Sequence, residues 1–258
     1  MLKIENTEVS GWNAAIRGMR NPMNSWEKSD SDWFDVQEVG EEESEIIKWV
    51  QDGQCDFAYG VGPNDQKLMM NLAKAGSTDA KYRRMINVTM DVTAPLYWWK
   101  EFDTYKVGTV ANSCSTMHKI QAKQFTFDDF SHEHLIYFPR DGSDIDLEDQ
   151  DVRDAYCSLH VSGTDTVFSP EGALELTINM LNRARYLFLK TKDKQYWWQM
   201  IQLLPSSYNQ RRTIQLNYEV LSAIYPKRKD HKLDEWHAFC DWIHSLPYSE
   251  LITGEEVD

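Results

Sequence analysis

Basic residues in this chain gather in a few places although the sequence as a whole is acidic. Arg83-Arg84, Lys100, Lys106 and Arg211-Arg212 sit in a 258-residue chain with a formal net charge of −14. Guanidinium groups bind phosphate through planar, bidentate, charge-assisted hydrogen bonds, and lysine does so as a point charge. Clustered cations in an acidic chain therefore point to one anionic ligand. A second polar group is the small-residue run Asn112-Ser113-Cys114-Ser115-Thr116, which equally suits a plain turn. His132-x-His134 puts two imidazoles on one side of an extended segment. No third ligand follows at a convincing spacing, so no metal site is predicted. The acidic stretch 141–149 lacks the glycine and closing glutamate of a calcium loop, and reads as solvated. Neither a glycine-rich phosphate loop nor a Ser-His-Asp arrangement is present. Cys55, Cys114, Cys157 and Cys240 are too far apart for a zinc knuckle or a redox pair.

The net charge excludes broad, non-specific nucleic-acid binding, which needs a basic face. No apolar run reaches the length of a membrane span. Met-Leu-Lys-Ile-Glu at the start lacks the apolar core of a signal peptide, which predicts a cytoplasmic protein. The length predicts a single domain. Ten tryptophans are many for that length, and imply a deep core or an oligomer that hides aromatic surface.

The elements that would position these residues follow from the pattern. A short helix is expected over 11–20, an acidic loop over 26–45, a short helix over 46–50 and a connection over 55–63. Asn64 is expected to cap a helix over 65–75 that Gly76 ends. Ile86, Val88, Met90 and Val92 alternate with polar residues, which predicts a half-buried strand. Pro95 is expected to open a helix reaching about Lys106. A second acidic loop falls near 140–152. Ser169-Pro170-Glu171 is a strong helix start, with a helix to about Lys190. Further helices are expected over 194–203, 213–225 and 232–244. Asn217 then falls inside a helix, where asparagine is mildly unfavourable and a polar task is implied. The class is α+β.

Three stretches resemble flavin-dependent thymidylate synthases. Ala15-Ile16-Arg17-Gly18-Met19-Arg20 resembles that family's early helix. Leu72 to Gly76 resembles its Lys-x-Gly turn, and Ala94-Pro95 its strand end. Read onward without a gap, Thr104-Tyr105-Lys106 stands where the family has Arg-His-Arg. Thr109 falls on the inner serine of that motif, and Cys114, or Ser115 with a one-residue gap, on its last serine. Pro205, Asn217, Leu221 and Arg228 keep the spacing of a third family segment.

The resemblance implies a twisted, mainly antiparallel sheet with flanking helices, assembled as a homotetramer with flavin sites between subunits. It implies methylation of dUMP or a related pyrimidine nucleotide. The carbon would come from methylenetetrahydrofolate, and FAD would carry hydride from NADPH. Ser115 and Lys106 would be the catalytic residues. Lys106, Thr109 and Asn217 would hold the cofactor. Lys100, Glu101, Cys114, Ser115 and Arg212 would hold the substrate, with Arg20 and Arg228 as weaker contacts. The departures fall on phosphate-binding arginines of the family: Thr104, Ile201 and Glu219 stand in their places. A non-catalytic or repurposed nucleotide-binding protein on the same fold is the alternative.

Overall fold

The computed structural model describes residues 2–35, 57–135 and 169–255. The chain divides into two compact units. The larger comprises Leu2–Ala94, Trp98–Cys114 and Arg211–Asp258, and the smaller comprises Pro95–Tyr97 and Ser115–Gln210.

In the larger unit, β1 (Lys3–Ser10) is followed by α1 (Trp12–Arg20), a short hairpin of β2 (Asp32–Asp35) and β3 (Phe57–Gly60), α2 (Pro63–Ala75) and β4 (Asn87–Pro95). Next come α3 (Leu96–Phe102) and β5 (Val110–Ser113). Beyond the smaller unit's α4 (Pro170–Thr191) and α5 (Lys194–Leu203), the chain returns as β6 (Asn209–Asn217), α6 (Tyr218–Arg228), α7 (Asp234–His244) and α8 (Glu250–Thr253). The four-stranded sheet has the order β1-β4-β6-β5, with β1–β4 and β5–β6 antiparallel. The architecture is thus α+β, with an antiparallel sheet among helices.

The sheet buries one face because β4 alternates as the sequence requires. Val88, Met90, Val92 and Ala94 are buried, and Ile214 and Leu216 of β6 join them. Against them lie Trp98, Trp99 and Phe102 of α3, Leu221 and Ile224 of α6, and Trp236, Phe239 and Ile243 of α7. Trp98 sits 4.8 Å from Trp236 and 5.1 Å from Phe102, ring centre to ring centre. Each such aromatic pair adds about 0.5–1.5 kcal/mol beyond its buried area. Trp98, Trp99 and Trp236 thus fill a core, whereas Trp26, Trp33 and Trp198 are exposed. Gly11, at φ 96°, joins β1 to α1; a Cβ there would lie 2.0 Å from the Met85 carbonyl oxygen, so only glycine fits.

Several expected boundaries change. The 26–45 stretch contains β2, which pairs with β3, so residues 57–60 form a strand and not a connection. β1 has no strong alternation because its register shifts between Glu5 and Glu8. Asn6 takes φ 52° there, a left-handed conformation that asparagine tolerates. Helix α2 starts at Pro63, so Asn64 lies inside it and does not cap it. Asp30 does that work from far away in sequence: its carboxylate accepts the Asn64 and Asp65 amides at 2.9 and 3.1 Å. Helix α3 ends at Phe102, well short of Lys106, and Pro95 closes the strand. The expected helix over 213–225 is half strand: Thr213 to Leu216 alternate, and the helix begins only at Tyr218. The helices expected at 169–190 and 194–203 are found as Pro170–Thr191, capped by Ser169, and Lys194–Leu203. The expected helix at 46–50 and the acidic loop near 140–152 lie outside the described residues.

The smaller unit packs α4 against α5 around Ile120, Phe125, Phe130, Leu174, Ile178, Leu181, Ala184 and Met200. Asn182 locks the preceding loop to α4 by bonding both the amide and the carbonyl of Phe125 at 2.9 Å. No helix of the described residues is long and apolar enough to cross a membrane.

Candidate functional site

The candidate residues of the larger unit lie along α3, the turn after it, β5 and the β6–α6 junction. Helix α3 turns Trp98, Trp99 and Phe102 inward and leaves Lys100 exposed. Lys100 has no hydrogen bond or ion pair with another described residue. The turn that follows presents Lys106 to solvent, likewise without a described partner. Thr104 donates its hydroxyl to the Glu101 carbonyl at 2.7 Å, ending the helix.

Glu101 is committed to the protein. Its Oε2 accepts from Arg228 Nη1 and from the Trp236 indole at 3.1 Å, and His231 Nε2 lies 3.3 Å away. His231 Nδ1 accepts the Leu233 amide at 3.1 Å. Arg228 also donates from Nε to the Tyr105 hydroxyl at 2.9 Å and lies 4.3 Å over the Trp236 ring. Tyr105 is thus a packing residue, its ring 6.3 Å from that of Trp236 and its hydroxyl bonded to Arg228.

The other arginines are engaged in the same way. Arg212 donates to Asp103 at 2.7 Å and stacks 4.1 Å over the Trp99 ring. Arg211 bridges Asp91 at 2.8 Å and Glu5 at 3.6 Å. Hydrogen bonds from Thr213, Arg211 and Asn6 hold the Asp91 carboxyl at about 2. Arg20 is 5% exposed and pairs with the fully buried Asp65 at 2.6 Å. Asp65 also accepts from Ser29 and Ser31 at 2.6 and 2.7 Å. Burial is the largest influence on Asp65 and pushes its carboxyl up. The Ser29, Ser31 and Arg20 bonds and the Arg20 charge more than offset it, leaving the carboxyl below its ordinary value. Arg212, Arg20 and Arg228, expected as substrate contacts, each make an internal ion pair in this structure. These are long-range contacts, 45 to 127 residues apart in sequence. No local spacing could have revealed Asp65, Asp103, His231 or Trp236 as partners.

Asn217 has a plain structural task. It is the cap of α6, its Oδ1 accepting the Val220 amide at 3.1 Å, and does not sit inside a helix. Its side-chain amide NH2 has no partner among the described residues. Gly108, at φ 78°, brings the post-α3 turn against this cap: a Cβ there would lie 2.9 Å from Val220 Cγ2 and 3.4 Å from Asn217 Nδ2. The neighbouring Thr109 Oγ1 is buried and unbonded.

Glu219 follows in the first turn of α6. Its Oε2 is buried without a partner, and its Oε1 lies 3.9 Å from Arg84. Arg83 is 9% exposed, reaches Ser222 at only 3.5 Å, and leaves Nε unbonded. Three of the buried, unbonded side-chain atoms thus cluster around the start of α6, where a polar ligand or water would complete their bonding.

Cys114 is exposed beyond β5. Ser115 belongs to the smaller unit, where its Oγ accepts the Met117 and His118 amides at 3.2 and 2.9 Å. This is a serine turn. Ile201 packs against the core of the smaller unit. His132 Nδ1 bonds the Phe130 carbonyl at 2.9 Å, and the described residues contain no cluster of three potential metal ligands.

This arrangement of elements is the fold of flavin-dependent thymidylate synthases. A crystal structure of the enzyme ThyX from Helicobacter pylori, complexed with FAD and dUMP, matches with a TM-score of 0.58 at 13% identity. The match covers 98% of each chain. A second structure of Helicobacter pylori Thymidylate Synthase X with FAD and dUMP gives a TM-score of 0.59 at 12% identity, again over 98% of each chain. No family model matches the sequence, and no curated protein matches it. The likeness is therefore one of fold.

Proposed function

We propose that this protein binds a flavin and a pyrimidine nucleotide as a single thymidylate synthase-like domain, and that it methylates dUMP or a related nucleotide. The observation that carries the reading is the end-to-end likeness to structures whose ligands are FAD and dUMP. Fold alone does not fix activity, which rests on the side chains of the site.

The side chains at the turn after α3 fit a flavin in part. Lys106 offers an exposed ammonium, Thr109 an unbonded hydroxyl oxygen, and Asn217 an unshared amide NH2. Lys100 is the cation left for a nucleotide phosphate. FAD, when bound, would supply the redox chemistry, with NADPH as hydride source and methylenetetrahydrofolate as carbon donor. The chain's own residues would bind and orient the ligands. Ser115 would act at the substrate through its hydroxyl once its turn bonds are shared. Cys114 and Glu101 would contribute to the substrate pocket through position, Glu101 chiefly by fixing Arg228. By family analogy the protein would be a cytoplasmic homotetramer, without a membrane or non-specific nucleic-acid partner.

A second reading has its own support. Arg20, Arg211, Arg212 and Arg228 all spend their charge on carboxylates of this chain. That pattern favours a nucleotide-binding protein that no longer catalyses methyl transfer. Incubation with dUMP, methylenetetrahydrofolate, NADPH and FAD, followed by chromatography for dTMP, separates the two. Product formation supports the enzyme. Saturable dUMP binding without product supports the second reading, and absence of both binding and product removes both.

A further inference from the structure

Arg228 draws the end of α3, the turn after it and the end of α6 into one basic face of the larger unit. It donates to the Tyr105 hydroxyl at 2.9 Å and to Glu101, and His231 lies 3.3 Å from the same carboxylate. The turn from Tyr105 to Gly108 therefore runs back along α6, from Arg228 towards Val220 and Asn217, which Gly108 approaches. Val220 and Lys227 are seven residues apart, two turns along one helix face, so Lys227 and Lys106 flank the same seam. Lys100 precedes Glu101 and Lys232 follows His231, which brings both to its Arg228 end.

Lys100, Lys106, Lys227 and Lys232 are all exposed, and none has a hydrogen bond or ion pair with another described residue. Glu101 is neutralised by Arg228 and Asp103 by Arg212, so Asp230 and Asp234 remain as acidic neighbours of the four ammonium groups. Lys229 turns elsewhere, 3.7 Å from Glu255, and is not part of the group. A compact phosphate is gripped best by guanidinium forks. Here the forks of Arg211, Arg212 and Arg228 are spent on carboxylates. What remains is a set of point charges on long stems, carried by separate segments. One phosphate group, with three acceptor oxygens, is too compact to meet them all. A chain of two or three phosphates is long enough and carries the charge to match. The net charge of −14 repels a long nucleic acid, so the occupant is short.

We propose that this lysine group takes the phosphate chain of a nucleoside di- or triphosphate, and that the site prefers these to a monophosphate. The proposal rests on the nucleotide reading above and narrows its substrate class. Lys100 meets the first phosphate, and Lys227 and Lys232 meet the outer ones. Lys106 borders both this chain and the proposed flavin contacts Thr109 and Asn217.

The test is calorimetric titration of the full chain, without added flavin and in EDTA, with dUMP, dUTP and inorganic tripolyphosphate. dUTP is expected to bind about tenfold more tightly than dUMP, the gain of two or three exposed ion pairs. That ratio should fall as salt rises. Lys227→Gln together with Lys232→Gln, at wild-type circular dichroism, is expected to bring the ratio close to one. Equal affinity for dUMP and dUTP in the wild-type chain would overturn the proposal and leave the nucleotide reading standing. So would a preference for dUTP that survives the double substitution. Tripolyphosphate binding that the double substitution weakens, in a chain that takes up neither nucleotide, would support the lysine group and sink the nucleotide reading. Failure of all three ligands to bind removes both.

Discussion

Two arginine–carboxylate pairs in the larger unit show what burial does to a charge. Arg20 and Asp65 are 5% and 0% exposed, and every oxygen of Asp65 is bonded. Arg228 and Glu101 are 14% and 34% exposed, and their carboxylate is shared with Trp236 and His231. The first pair ties α1, the 29–31 loop and the start of α2 together, and has no other plausible work. The second sits beside the exposed Lys100, where water can replace a lost partner. Only the second pair is open to solvent, with side chains 14% and 34% exposed against 5% and 0%.

Breaking each pair should expose that difference. Arg20→Met leaves a buried, uncompensated carboxylate and is expected to destabilise by about 3–5 kcal/mol, read as a fall in the urea midpoint. Arg228→Met is expected to cost less, about 1–2 kcal/mol, since a charged hydrogen bond is lost beside solvent and other donors. Equal losses would remove the distinction. The cap of α6 comes next. Asn217→Ala is expected to cost about 1 kcal/mol. Asn217→Asp keeps the cap but removes the amide NH2, so it should preserve stability while weakening flavin affinity. If both variants change stability alike and neither affects flavin, Asn217 is a cap and nothing more.

Acid sensitivity provides a further contrast. The Asp91 carboxyl is held at about 2 by Thr213, Arg211 and Asn6. Its folded value is depressed, so the stability it contributes is fully present above the ordinary aspartate value of ~3.9. That stability is lost as pH falls through about 2. Asp91→Asn should flatten the stability profile between pH 4 and 2, measured by chemical denaturation at each pH; an unchanged slope would refute the assignment. The smallest structural effect belongs to Lys106→Ala, within about 0.5 kcal/mol for an exposed side chain, although its flavin affinity should drop.

Much of the frame was legible because it rests on local chemistry. Ser169-Pro170-Glu171 announces α4, Gly76 ends α2, and the Ile86 to Val92 alternation gives β4. What was not legible rests on distant contacts. The Asp30 cap on α2, the Asn6 bulge reaching Asp91, and the β2–β3 pairing all join residues far apart in sequence. The strand inside 213–217 carried a signal, the alternation of Ile214 and Leu216, which the helical spacing of Leu221 and its neighbours masked. At the candidate site the residues expected from the sequence fall on α3, the turn after it, β5, the start of the smaller unit and the start of α6. The ion pairs of Arg212 with Asp103 and Arg228 with Glu101 were not legible, because a guanidinium that grips phosphate and one that pairs with a carboxylate are identical as letters.

The central claim is that the chain takes up a flavin. Absorbance of the purified protein, before and after titration with FAD and gel filtration, tests it most directly. Bands near those of oxidised flavin are expected to co-elute with the protein, perturbed on adding dUMP and weakened by Lys106→Ala. A colourless protein that retains no FAD at any concentration tried would contradict it.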